Sequence, residues 1–439
     1  MSALTIGLIG IVIFFLLLLT GLPIAFSMMA VGVAGMTVLR SSTAAFQTMA
    51  DAFVSTFTSY TLGIVPMFVL MGEIASQTGL GTSLFDTAQK YVVHKKGGLA
   101  IAVQAVCAIF GAICGSLPAT TAMMGGVAYP EMKRHGYADT LNTGCIAAGS
   151  ALAILIPPSL TFITYGIATE VSIGKLFMSG ITVGLLLMVC YMITISIWVR
   201  KNPSIAPVSP KATKEEKREA LRKGGLIEIL IVFIISMGGL FAGWFTPTEA
   251  GAVGTIGMMI VAAIFKRFTI KGFIKALKNT ITLSCVIYMI MSTATILGKF
   301  ISLSGIPQAL GGLVVSVSAP PVIVLLVITL IYLVLGCIID AVPMMLITMP
   351  IFFPIVTGPL GYDGVWFGAY IILVCALGSL TPPMGFACFV MQSTVKEVPL
   401  TRIFKGVVPF VIACVVAMTI LTIVPGIATW LPNLMYAGV

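Results

Sequence analysis

The sequence encodes an all-α integral membrane protein built as two inverted-topology repeats, each holding one re-entrant hairpin and one broken helix. Three observations carry that reading. Of 439 residues, 59% are hydrophobic and 9% charged, with mean hydropathy +1.13, whereas soluble chains carry about a quarter charged residues. Proline and glycine punctuation recurs at a fixed distance: Pro118, Gly136-Tyr137 and Pro157-Pro158 return as Pro343, Gly361-Tyr362 and Pro382-Pro383, all offset by 225 positions. Gly72 and Gly79 recur as Gly298 and Gly305 at 226, and Pro23 as Pro247 at 224. Lastly, Lys and Arg fall in short clusters between apolar runs, as topology signals do.

Spans that cross a ~30 Å hydrocarbon core are expected at 4–20, 22–39, 59–77, 139–169, 175–199, 226–243, 247–265, 280–300, 364–394 and 406–430. No Lys or Arg precedes the first run, which therefore reads as a retained span rather than a secretory leader. The runs 97–135 and 321–357 differ, because each has room for two short helices around a central break. Lys95-Lys96 precede the first and Lys133-Arg134-His135 follow it, so both of its ends belong in the cytoplasm. It is expected to enter and leave on one side. The second run has no flanking Lys or Arg, which suits a hairpin entering from outside.

With both termini outside and ten crossings, only Arg40, Lys175 and Lys299 of the 24 Lys and Arg lie on the outer side. Each half contains five crossings, an odd number, so the second copy runs opposite to the first. The repeats are 1–199 and 226–439. They are joined by 200–225, the one long polar stretch, expected to be a solvated and partly helical cytoplasmic connector. Residues 41–58 and 266–279 occupy matching places. The second, with Lys266, Arg267, Lys271, Lys275 and Lys278, is expected to lie along the cytoplasmic surface as a separate amphipathic helix.

Four backbone breaks converge by symmetry: the hairpin tips Gly115-Ser116-Leu117-Pro118 and Asp340-Ala341-Val342-Pro343, and the interruptions Pro157-Pro158-Ser159 and Thr381-Pro382-Pro383-Met384-Gly385. Proline lacks an N–H and disrupts a helix. Irregular backbone survives at membrane depth only inside protein or beside a watery cavity. Carbonyls at half-helix C-termini suit a small cation such as sodium, and half-helix N-termini suit an anionic group. Paired breaks of this kind mark a secondary transporter's binding site. Ser116, Thr120, Thr121, Ser159 and Thr381 add hydroxyls. Asp340 is the most informative charge, since a mid-membrane Asp costs about 2.5–3.5 kcal/mol on insertion scales. It either contacts substrate or coupling ion, or caps the following half-helix. Glu249, in Thr246-Pro247-Thr248-Glu249, either caps its span or pairs across a helix interface. Glu73 and Lys299 are expected to support helix contacts.

Several classes drop out. No GxxxxGK[ST] phosphate loop appears, nor any metal, haem or Ser-His-Asp set, so neither ATP hydrolysis by that route nor recognisable enzyme chemistry is expected. The nine cysteines stand singly in apolar runs with no CxxC pair and read as buried thiols. His94 and His135 sit beside basic residues as solvent-facing flanks. No cofactor is expected beyond coupling ions. One cation entering down ~100 mV and a tenfold gradient supplies about 3.7 kcal/mol, roughly 500-fold accumulation of a neutral solute. An anionic solute works against the same voltage and calls for more than one cation per cycle.

At these motifs the chain resembles the large membrane subunit of tripartite ATP-independent periplasmic (TRAP) transporters. The resemblance rests on Gly115-Ser116-Leu117-Pro118-Ala119-Thr120, Ile156-Pro157-Pro158-Ser159, Tyr165-Gly166, Ser172-Ile173-Gly174-Lys175-Leu176-Phe177, Phe245-Thr246-Pro247-Thr248-Glu249-Ala250 and Leu380-Thr381-Pro382-Pro383-Met384-Gly385. It extends over essentially the whole chain. It implies sodium-driven import of an organic acid across the bacterial inner membrane, with a periplasmic binding protein and a small four-helix membrane subunit on a separate chain. It also implies an elevator mechanism, in which hairpins and broken helices slide as one block. By the same matching Ser116, Ser159 and Asp340 would face substrate, and backbone at Gly115, Pro157, Thr381, Pro382 and Gly385 would bind sodium. Leu117 departs from the pattern, standing where a second serine is common. A stand-alone sodium-coupled carboxylate or inorganic-anion carrier is the leading alternative. A membrane-embedded enzyme or a pure scaffold fits less well.

Overall fold

In the computed structural model, residues 1–208, 210–316, 320–336, 339–383 and 385–435 are described. Met384 of the second proline motif and residues 337–338 of the second hairpin lie outside them. Among the described residues the secondary structure is helical throughout. The first half contains α1 (Ala3–Leu19), α2 (Ile24–Leu39), α3 (Ser42–Phe57), α4 (Ile64–Gln77), α5 (Leu80–Val92), α6 (Gly98–Cys114), α7 (Leu117–Arg134), α8 (Asp139–Ser150), α9 (Leu160–Thr169) and α10 (Ile173–Lys201). The connector holds α11 (Lys214–Lys223). After it come α12 (Leu226–Phe241), α13 (Pro247–Ile264), α14 (Ile270–Leu303), α15 (Ile306–Ser316), α16 (Pro321–Gly336), α17 (Ala341–Thr357), α18 (Gly364–Leu380), α19 (Phe386–Thr394), α20 (Leu400–Ile423) and α21 (Gly426–Met435). By length and composition α10, α13, α14 and α20 each suffice to cross a membrane.

Local chemistry explains the boundaries. The Thr246 hydroxyl accepts from the Glu249 amide while the Glu249 carboxylate accepts from the Thr246 amide at 2.8 Å, with Pro247 in the first turn of α13. Glu249 is therefore a cap. Thr213 and Glu216 make the same reciprocal pair at the start of α11. Glu73 accepts from the Asn279 amide at 2.8 Å, tying α4 to α14.

Two packing groups emerge. Helices α1–α4 pack with α12, α13 and α14, whereas α6–α10 pack with one another and with α17–α21. The order α6 to α10 recurs as α16 to α20, and so does a contact: Gly111 of α6 meets Ala153, and Gly336 of α16 meets Gly378, both pairs 225 positions apart. Helices α8 and α20 approach still more closely. A Cβ on Gly406 would lie 2.1 Å from the Thr140 carbonyl oxygen, and one on Gly144 would lie 2.3 Å from the Gly406 oxygen. Backbone cannot rotate aside as a side chain can, so Gly406→Ala must prise the two helices apart. We expect it to destabilise the solubilised protein by about 1–3 kcal/mol, read as a lowered thermal midpoint. Gly126→Ala, where an added carbon meets nothing within 4 Å, should leave the midpoint in place. Polar contacts at the same end reinforce the seam, with Lys133 2.8 Å from Glu397 and Arg402 3.3 Å from Asp139. The lysine's hydrogen bond holds the Glu397 carboxyl below its ordinary value.

The two groups meet at glycines as well. A Cβ on Gly72 of α4 would lie 2.5 Å from the Cys114 Cα, and one on Gly298 of α14 would lie 3.1 Å from the Pro350 ring. These are the recurring glycines of the sequence, one against each hairpin.

Several sequence expectations need correction. Residues 266–279 do not form a separate surface helix, because Ile270 opens a continuous 34-residue α14 that runs on through the expected span. The last expected span stops at Ile423, where Pro425 follows and α21 begins anew. Helices α5 and α15 were not expected. The connector is partly helical as expected but is not freely solvated. The Thr87 hydroxyl of α5 donates to the Ala220 carbonyl at 3.1 Å, and the Tyr91 hydroxyl donates to the Lys217 carbonyl.

Candidate functional site

The first hairpin tip is built by backbone geometry. Helix α6 ends at Gly115, whose φ of +58° lies in the left-handed region that glycine tolerates best. Ser116 is extended and its hydroxyl accepts from the Ala119 amide, starting α7 with Pro118 in the first turn. A Cβ on Gly115 would sit 2.7 Å from the Pro158 carbonyl oxygen. Hairpin tip and helix break therefore touch through backbone, where only hydrogen fits.

The first break follows from its prolines. Neither Pro157 nor Pro158 has an N–H to give, so the carbonyl of Ile154, four residues before Pro158, loses its helical donor. The Ser159 hydroxyl takes that role, donating to the Ile154 oxygen at 2.6 Å while accepting from the Phe162 amide to cap α9. Ser159 is fully buried by this double duty. The second break has no such hydroxyl, since its matching position is Met384. There Thr381 N–H bonds the Gly378 carbonyl, the Thr381 hydroxyl donates to the Leu377 carbonyl at 2.7 Å, and Gly385 at φ +54° opens α19. Both proline pairs, Pro157-Pro158 and Pro382-Pro383, are joined by cis peptide bonds.

Asp340 stands at the start of α17, yet its carboxylate makes no capping hydrogen bond. Its side chain is instead exposed into a cavity of about 300 Å³. That cavity joins the site together. Gly115 to Pro118 line it from one tip and Asp340 to Met344 from the other. Ile154, Leu160 and Thr161 contribute from the first broken helix, and Cys375, Ser379 and Phe386 from the second. Asp340 is the single charged residue of the lining among the described residues.

Of the eight residues singled out in the sequence, the cavity wall includes Gly115, Ser116 and Asp340. Pro157, Thr381, Pro382 and Gly385 lie in the breaks but not in the cavity wall, and Ser159 is turned inward by its bond to the Ile154 oxygen. Thr120 and Thr121 also bond internally, to the Ser116 and Leu117 carbonyls. Sequence reasoning missed Thr161 and Ser379, and it missed one wall entirely. Leu283, Val286, Ile287 and Ile290 of α14 close the cavity from the other packing group. Nothing distinguishes them from lipid-facing residues in sequence, whereas Thr161 and Ser379 had a usable signal in standing within one helical turn of a double proline.

The sequence matches the family described as tripartite ATP-independent periplasmic transporter, DctM component, over residues 11–427. The chain belongs to the DctM family. It is the large permease subunit of a TRAP transporter, a multi-pass membrane protein. This permease is 34% identical to the C4-dicarboxylate TRAP transporter large permease protein of Pseudomonas aeruginosa, over 92% of this chain and 94% of that one. It is 30% identical to the sialic acid TRAP transporter large permease protein of Vibrio cholerae, over 95% and 96%. A fused relative, the isethionate TRAP transporter permease protein DctMQ of Oleidesulfovibrio alaskensis, matches at 30% over 94% of this chain and 64% of its own length. Among solved structures, the YdaH transporter of Alcanivorax borkumensis superposes with a TM-score of 0.65 at 14% identity, covering 87% of this chain and 88% of that one. That likeness supports the all-helical transporter fold of the permease.

Proposed function

We propose that this permease imports a small organic acid together with sodium across the inner membrane, receiving it from a periplasmic binding protein and working beside a small four-helix subunit. One observation carries the reading: both hairpin tips and residues flanking both helix breaks line one cavity, whose single charge among the described residues is Asp340. A carboxylate solute beside a fixed carboxylate is repelled unless cations lie between them. The left-handed Gly115 tip set against the Pro158 carbonyl and the proline-freed backbone of the second break supply oxygens suited to sodium. The cavity volume lies at the lower end of the ~300–1,000 Å³ typical of small-ligand pockets, which favours a compact acid. Relatives named for C4-dicarboxylate and sialic acid support an organic-acid substrate. The recurrence of α6–α10 as α16–α20, together with the charge distribution, supports inverted repeats with both termini outside. An elevator motion follows if α6–α10 and α16–α20 slide against α1–α4 and α12–α14.

Uptake of labelled succinate and of labelled sialic acid into proteoliposomes tests this. With the small subunit present, accumulation should require both the binding protein and an inward sodium gradient. Robust uptake without the binding protein would establish the stand-alone carrier instead. Uptake unchanged when choline replaces sodium would remove the coupling ion.

A further inference from the structure

In the orientation proposed above, the cytoplasmic end of α14 presents an arrangement that lies outside the cavity site. Between Lys278 and Lys299 the helix runs 20 residues without a charge, about 30 Å at 1.5 Å per residue, which matches the hydrocarbon core. Residues 270–278 therefore stand in the cytoplasmic headgroup zone. At 100° per residue, the exposed Ile270, Ile274, Leu277 and Ile281 share about 60° of arc. Lys271, Lys275 and Lys278, all exposed, share the next arc, while Ala276 and Thr280 on the opposite side are buried against the protein.

Three facts separate this column from an ordinary solvated face. No Asp or Glu occurs anywhere from residue 250 to 339. Among the described residues no ion pair engages Lys266, Lys271, Lys275 or Lys278. Helix stability does not ask for Lys271 either, because a lysine in the first turn opposes the helix macrodipole. Immediately upstream, Lys266 adopts φ +54°, a left-handed position that glycine fills with less strain. Lys266 and Lys271 are thus kept where local structure disfavours a lysine.

We infer that this surface is a binding site for anionic phospholipid of the cytoplasmic leaflet. The lysine column takes headgroup phosphates and the adjoining Ile/Leu stripe lies along the acyl chains. Charge complementarity selects the lipid's sign, and the exposed apolar stripe selects a lipid over a soluble acidic partner. Because α14 also walls the cavity and packs on α2 and α4, the lipid would hold the non-hairpin packing group against the inner leaflet. The site itself stands whether or not the proposed substrate and coupling ion are correct.

Native mass spectrometry of the full chain, in micelles with equal phosphatidylglycerol and phosphatidylcholine, tests the site without a transport readout. The wild type should retain phosphatidylglycerol preferentially by tenfold or more, at about fivefold per interfacial lysine. K271Q/K275Q/K278Q should bring the preference down toward parity, and the matching Lys→Arg triple should restore it. R200Q/K201Q, at the end of α10, should keep it. Parity in the wild type, as expected if the face serves an acidic protein or only topology, would overturn the proposal, and so would a preference surviving in the Gln triple. Should that variant fail to insert, a photoactivatable phosphatidylglycerol offered to the wild type must crosslink within residues 266–281. Crosslinks confined to other segments would equally overturn it.

Discussion

Asp340→Asn should reduce uptake of the transported acid by about a hundredfold or more, while the amount of protein in the membrane stays level. The substitution keeps the side chain's shape and removes only its charge. A charge-assisted contact is worth up to ~3 kcal/mol, which corresponds to that factor in rate or affinity. Folding should be spared, because the carboxylate does not cap α17, and removing a membrane-embedded charge relieves an insertion penalty. The measurement is initial uptake in proteoliposomes, normalised to inserted protein. Transport at the wild-type rate would strip Asp340 of its role in handling solute or ion, whatever its place on the cavity wall.

Gly115→Ala combines two penalties at one atom. The left-handed conformation disfavours any Cβ by roughly 1–2 kcal/mol, and the new carbon would fall 2.7 Å from the Pro158 carbonyl oxygen. The tip must withdraw from the helix break, and backbone proposed to hold sodium moves with it. Uptake should fall about tenfold or more, with half-maximal sodium shifted upward. Gly361→Ala separates the two effects. Gly361 has φ +67° but nothing within 4 Å of the added carbon, so it bears the dihedral strain alone and should transport almost normally. Equal losses in both variants would mean that the close contact with Pro158 is immaterial.

Much of the architecture was legible because proline and glycine act where they stand. Pro157-Pro158 and Pro382-Pro383 each break a helix inside an apolar run, and Gly115 and Gly385 mark left-handed turns that few other residues accept. Side-chain direction was much less legible. Ser159 reads as a hydroxyl beside a break, yet the carbonyl orphaned by Pro158 captures it and turns it from the cavity. Asp340 posed a similar choice between capping and cavity, which is settled by the packing of the two hairpins rather than by local sequence. Helix α5 escaped notice because its stretch from Asp86 to Lys90 is polar on one side, and the residues that cover it belong to α11, over a hundred positions later. The basic stretch after Phe265 suggested a surface helix, but Ile270 onward simply continues into the span, since nothing between 270 and 303 breaks the backbone pattern. The cavity wall from α14 is a matter of tertiary neighbours, on which Leu283 and Val286 are silent.

The glycines at 72 and 298 bear on how the molecule would move. Each stands where a helix of one packing group touches a hairpin of the other, Gly72 on Cys114 and Gly298 on Pro350. A larger residue there would act as a detent, a knob that must leave one hole before entering the next. With only hydrogen facing the hairpin, these two points offer no notch to climb out of. Were the hairpins to slide as proposed, they would meet a smooth rail at these two contacts.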